Sequence, residues 1–170
     1  MQPVRAVAVP AESALAPLVA GAWYVDAFET ALADPALTPI AIGRAVFAHA
    51  PEWVETLLAW RNRAVRLVGL KDVGRLTDPS AKPPEAYAVG DALSLFTIRS
   101  MDGAELVLGL DDRHLDVRLS ILKRRDDAGR WTWVLSSVVT THNALGRAYM
   151  LPVAPMHRLI VRTMMRRLGI

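Results

Sequence analysis

Two short stretches hold residue types able to do chemistry. In the first, His114 and Asp116 stand at i, i+2 in a run that alternates polar and apolar side chains. On an extended strand this spacing puts both on one face with Cα atoms roughly 6.5–7 Å apart, within range for a carboxylate to orient an imidazole as a general acid/base pair. Arg118 continues that face, and an exposed ladder of charge pairs fits the same residues. The second stretch, His142-Asn143-x-x-x-Arg147-x-Tyr149, falls where a strand gives way to a helix. There Arg147 and Tyr149 can reach a carboxylate or carbonyl of a ligand at a cavity mouth. Equally, Asn143 can cap the helix, Arg147 can tie it to the sheet and Gly146 can allow close packing. Arg61-Asn62 and Lys71 can close such a pocket from the other side, or join an ion-pair network with Asp26 or Asp116.

Other chemistries find no support. The four histidines (49, 114, 142, 157) are scattered. Asp112-x-His114-x-Asp116 on a strand separates its outer members by roughly 13 Å, too far to share one ion, so no metal is expected. The chain has no cysteine, which excludes disulfides, thiolate ligands and cysteine nucleophiles. It has no G-x-S-x-G elbow for serine hydrolysis and no G-x-G-x-x-G for dinucleotide binding, and no cofactor is expected.

With 170 residues, 52% hydrophobic and 22% charged, the chain is expected to be one domain, residues 1–170, with a real core. The net charge of +3 is small, and the isoelectric point of about 9.7 reflects arginines that stay charged far above neutrality. Only the terminal arginines approach a basic patch, so no nucleic-acid partner is expected. The N-terminus lacks a sustained apolar core and meets Glu12 early, which reads against a secretory leader and for a cytoplasmic location.

The elements that position these residues are legible as patterns. Trp23–Leu32 is aromatic-rich and reads as the first strand of the sheet, after a short extended segment at 4–9 and a short helix near 12–20. Thr38 followed by Pro39 is a helix start, and Pro51 opens a second helix to about Val68, with Trp53, Leu57, Trp60 or Arg61 and Ala64 on one face and Gly69 as its stop. Residues 73–88 are irregular and fit either a lid or a surface connector. From Leu93 four extended segments follow, at 93–101, 104–110, 113–125 and 130–141. They are divided by Asp102-Gly103, Asp111-Asp112 and Asp126–Gly129, which makes an antiparallel meander. A two-residue turn at Asp111-Asp112 sets Glu105 opposite Arg118. Leu115, Val117, Leu119 and Ile121 form the face that meets helices; the polar face looks either to solvent or into a pocket.

The last run, from Asn143 to about Leu168, has a helical period, with Arg158, Arg162 and Arg166 at i, i+4, i+8 beside an apolar face. Pro152 and Pro155 predict a kink or break near 151–155. The arginines leave no apolar window of about 20 residues, so the run is not a membrane span. It either covers the sheet or lies on an anionic membrane.

Four stretches resemble the bacterial DUF2867 family: Pro51-Glu-Trp-Val54 with Arg61-Asn62; Val68-Gly-Leu-Lys71; Gly109-Leu-Asp-Asp-Arg-His-Leu-Asp-Val-Arg118; and His142-Asn-Ala-Leu-Gly-Arg-Ala-Tyr149 with Pro155-Met-His157. Weaker likeness surrounds Asp26 and Phe28. The resemblance implies a helix-grip fold of the START/Bet v 1-like (SRPBCC) superfamily: α+β, an antiparallel sheet of the meander plus N-terminal strands wrapped around a long C-terminal helix. It implies little biochemistry, although some relatives resemble C-terminal partners of a dinucleotide-binding domain.

Three functions follow as expectations. The first is a binding domain for a small, largely apolar or amphipathic ligand, with His114, Asp116, Arg118, His142, Asn143, Arg147, Tyr149 and Arg61 as polar contacts. The second is an enzyme of the cyclase or hydratase kind using His114 and Asp116 as acid and base. The third is an accessory domain that docks on a separately encoded oxidoreductase or forms a homodimer.

Overall fold

Polar–apolar alternation over residues 115–121 opens β6 (Leu115–Arg125), the strand at the centre of the sheet. The computed structural model describes residues 3–66 and 82–168, apart from the side chains of 61 and 64–66. Seven strands are present among them: β1 (Arg5–Ala6), β2 (Tyr24–Ala31), β3 (Ala92–Leu93), β4 (Phe96–Met101), β5 (Glu105–Asp111), β6 and β7 (Trp131–Thr141). They form one antiparallel sheet in the order β1-β2-β7-β6-β5-β4-β3. The helices are α1 (Pro39–Ala48), α2 (Glu52–Arg66) and α3 (Ala144–Leu168). An α+β sheet with a long C-terminal helix packed on it is the arrangement that the patterns and the resemblance implied.

The helices cover the sheet face that carries Phe28, Leu108, Leu119, Ile121, Trp133 and Leu135, which join Ile42 and Val46 of α1 and Val161, Met164 and Met165 of α3 in the main core. Thr38 caps α1 by accepting from the Ala41 N–H at 3.3 Å, with Pro39 as the first helical residue, as expected. Gly43 brings α1 close: a Cβ there would meet Leu106, Ile121 and Leu93 at 3.0–3.3 Å. On α2 the expected apolar face is displaced. Trp53 and Trp60 are exposed, and the inward stripe is Val54, Leu58 and Asn62 at i, i+4, i+8. The expected stop at Gly69, Lys71 and the stretch 73–81 lie outside the described residues.

The opposite sheet face is neither open solvent nor a pocket along its whole length. The N-terminal segment lies across part of it, with Leu15, Val9 and Ala22 packed on Val107 and Val138, and Val7 on Leu122 and Val134. Ser13 and the Ala14 N–H bond the Glu105 carboxylate at 2.6 and 3.0 Å, and Ser120 donates to it as well. Glu29, almost wholly buried, accepts from Arg5, Arg124 and Thr132. In place of the expected helix at 12–20 a 3-10 turn, Ala16–Gly21, closes this layer.

Four local expectations are corrected. The β5–β6 turn is centred on Arg113-His114, with Asp112 donating to Leu115, so Glu105 faces Leu122 and Arg118 faces Gly109. Leu93–Met101 is divided by a tight reversal at Ser94 (φ 58°). The next reversal is not a type I′ turn at Asp102-Gly103, because neither residue has positive φ; instead the Asp102 side chain accepts from the Ala104 and Glu105 N–H groups at 2.7 Å. Finally, α3 does not break at its prolines. The carbonyls that lose donors to Pro152 and Pro155, those of Ala148 and Leu151, belong to exposed residues that water can satisfy.

Candidate functional site

Three groups of polar side chains surround α3. The first joins the tip of β5–β6 to the start of the helix. Asn143 caps α3 through its Oδ1, which accepts from the Gly146 N–H at 2.9 Å. Its Nδ2 reaches the Arg113 carbonyl at 3.3 Å and His114 Nδ1 at 3.1 Å. The His142 N–H donates to the His114 carbonyl, and His142 Nε2 lies 3.1 Å from Asp116 Oδ2. His114 and Asp116 are therefore not partnered with each other: His114 sits in the turn before the strand begins, so the i, i+2 alternation does not apply to it. Arg118 turns to Asp111, which Arg99 also holds, above a glycine whose missing side chain leaves room for both arginines.

The second group lines an open cleft of about 260 Å³ formed by Gly21, Ala22, Trp23, Thr141 and Arg147. Trp23 and Arg147 come from opposite ends of the sequence and share this cleft because β2 pairs with β7. Tyr149 is half-buried nearby among Tyr24, Leu115, Val139 and Met150.

The third group lies between β2 and α3. Asp26 Oδ2 accepts from the Tyr24 hydroxyl at 2.5 Å and lies 3.2 Å from His157 Nδ1. The two rings meet edge-on with centroids 5.8 Å apart, and the Arg158 guanidinium stands over Tyr24 at 5.4 Å. Burial pushes the Asp26 carboxyl up, but bonding and charge from His157, then bonds from Tyr24 and Ser137, outweigh it and hold it below the ordinary value. Burial also pushes the Tyr24 phenol well up, helped by the carboxylate beside it. The Ser137 contact is the weakest of those to Asp26: its hydroxyl and Asp26 Oδ1, buried on adjacent strands, approach each other without full hydrogen-bond geometry.

Of the residues singled out in the sequence, His114, Asp116, His142 and Asn143 come together as a latch under the helix. Arg147 lies in the cleft, Tyr149 in an apolar cluster and Arg118 on the far sheet face. The side chain of Arg61 lies outside the described residues. The Tyr24–Asp26–His157 group was missed as a site, although Asp26 and Pro155-Met-His157 both lie in stretches that carry the family likeness. Among the described residues no three His, Asp or Glu side chains converge as a metal site, and no helix is long and apolar enough to cross a membrane.

Fold and site together define an α+β domain whose closing helix is latched at one end and hydrogen-bonded to the sheet at its middle. The model of a family described as protein of unknown function, DUF2867, matches residues 18–164, and the chain belongs to that family. No curated protein and no solved structure matches it.

Proposed function

We propose that the chain is a cytoplasmic small-molecule-binding domain of the START/Bet v 1-like class, taking a small, largely apolar or amphipathic ligand that ends in a carboxylate or carbonyl. The observation that supports this is the cleft in which Arg147 stands beside Trp23. A guanidinium offers paired donors to a carboxylate, and an indole offers apolar area with little entropy to lose. The space between sheet and helix holds Phe28, Leu119, Trp133 and Met164, so the ligand enters at the helix end. His142 and Asn143 stand at the adjoining rim. Native mass spectrometry of the purified protein, with a denatured control, tests for a bound molecule directly. Titration with decanoate, followed by tryptophan fluorescence, tests the site: Arg147→Ala weakens binding by about tenfold or more, since a charge-assisted bond is lost. Equal affinity in the variant removes the cleft from the reading.

A second reading, a hydratase or cyclase, draws on one observation. Asp26 engages His157 through Nδ1, which leaves Nε2 as the ring nitrogen able to accept a proton. This moves the acid/base pair from His114 and Asp116 to Asp26 and His157. Turnover of a candidate substrate that survives His157→Ala unchanged removes this reading.

A further inference from the structure

Charge is segregated along this chain. Helix α3 holds five of the 20 Lys and Arg residues and none of the 17 Asp and Glu, so the rest of the chain nets −2 against +3 overall. Four of those five arginines, at 147, 158, 162 and 166, are exposed and share one side of the helix with Leu151, Pro155 and Leu159. At 100° per residue these seven positions fall within an arc of about 120°. Leu151 and Leu159 are 68% and 54% exposed, which makes the stripe apolar as well as basic. Met150, Val161 and Met164, on the other side of the helix, are buried in the domain, and Met165, at the edge of the arc in line with Arg147, is buried with them.

The arginines on this face are available. Ion pairs among the described residues engage Arg5, Arg99, Arg118, Arg124 and Arg130 instead. Arg158 and Arg162 rest over the rings of Tyr24 and Phe28 at 5.4 and 6.0 Å, and Arg158 also approaches the Tyr24 hydroxyl, an arrangement that steadies the guanidinium groups without neutralising their charge.

We propose that this face of α3 docks the domain on the surface of an anionic lipid bilayer. The guanidinium groups take lipid phosphates, and Leu151 and Leu159 enter the boundary between headgroups and acyl chains. Nucleic acid is the competing anion. The large side chains set between the arginines are leucines, which gain free energy on leaving water for hydrocarbon but give a base no aromatic face to stack on. Trp23, 39% exposed beside Arg147, suits the same interface. This goes beyond the ligand reading. Docking would present the cleft mouth to the lipid, yet Arg158 and Arg162 lie outside the cleft and are tested apart from it.

The test is co-sedimentation of the full chain with vesicles of phosphatidylcholine alone and of phosphatidylcholine with phosphatidylglycerol. Binding is expected only to the anionic vesicles and is expected to fall with added salt, as screened surface charge requires. Exchange of Arg158 and Arg162 for Glu lowers the bound fraction about tenfold or more, Leu151→Ser with Leu159→Ser lowers it at unchanged charge, and Arg99→Glu on the opposite sheet face leaves it intact. Circular dichroism checks that each variant is folded. Equal binding to neutral vesicles, no binding to anionic ones, or an unaltered Arg158/Arg162 variant overturns the proposal. Retention on DNA or RNA without vesicle binding overturns it in favour of a nucleic-acid face.

Discussion

The carbonyl of His114 lies so close to Gly146 that a Cβ on that glycine would stand 2.1 Å from the oxygen. The same oxygen accepts from the His142 N–H, so the tip of β5–β6 and the start of α3 are fitted at backbone level. The obstacle is main chain, which cannot swing aside as a side chain would. Gly146→Ala should therefore cost about 3 kcal/mol, a fall of roughly 6–12 °C in Tm for a chain of this size. Thermal unfolding followed by circular dichroism measures it. A Tm within a degree or so of the parent would show that the helix start is not seated on the hairpin.

Asp26 links stability to acid. Its folded pKa lies below the ordinary 3.8, so its contribution is complete above that value and disappears as pH falls through the folded pKa. Asp26→Asn should be less stable at neutral pH by about 1–3 kcal/mol and lose less on acidification. Urea unfolding at several pH values between about 6 and 2 tests both halves of the expectation. Parallel pH curves for the two proteins would refute it.

Tyr24 gives the opposite sign. Its folded pKa is raised above 10.0, so the stabilisation is complete below that pH and declines as pH climbs toward the folded value. Three tyrosines are present, and the near-ultraviolet ionisation of the folded protein should contain a late component that Tyr24→Phe abolishes. Three tyrosines that ionise together in the folded state would contradict the buried bond to Asp26.

Glu29 anchors the N-terminal layer. Its carboxylate is 1% exposed, whereas Arg5 and Arg124, which hold it, are 62% and 29% exposed. Removing the acid leaves two arginines that can turn to water, so Glu29→Ala should cost about 1–3 kcal/mol, less than stranding a buried charge would. Replacing Arg5 alone should cost less still. A larger loss from Arg5→Ala than from Glu29→Ala would reverse this assignment of roles.

The meander and the closing helix were legible because each depends on short-range periodicity. Leu115, Val117, Leu119 and Ile121 reveal a strand and its buried face whatever lies across from them. Register was not legible. Two polar dipeptides, Asp111-Asp112 and Arg113-His114, compete for one turn, and moving the turn from one to the other leaves every side chain on its original face. Alternation fixes parity only, so Glu105 and Arg118 share a face as read but are not opposite one another.

The site was legible in part for a related reason. Asn143 as cap and Gly146 as close contact are local roles, visible in a few neighbouring residues. The Asp26–His157 pair joins residues 131 apart, and in sequence His157 is one of four scattered histidines. The layer over the second sheet face escaped notice because Val7, Val9 and Leu15 lie in irregular chain with no period to betray them.

The placement of β2 between β1 and β7 bears on how the chain is made. Tyr24–Ala31 finds its principal neighbour only in Trp131–Thr141, more than a hundred residues later. On the ribosome β2 emerges early and keeps one long edge unpaired until β7 follows, at roughly 5–20 residues per second. For those seconds the nascent chain carries an open strand edge, the feature most prone to wrong pairing between chains. The step that ends this exposure is the closure of β2 on β7, a contact of high sequence separation that makes folding slow and late.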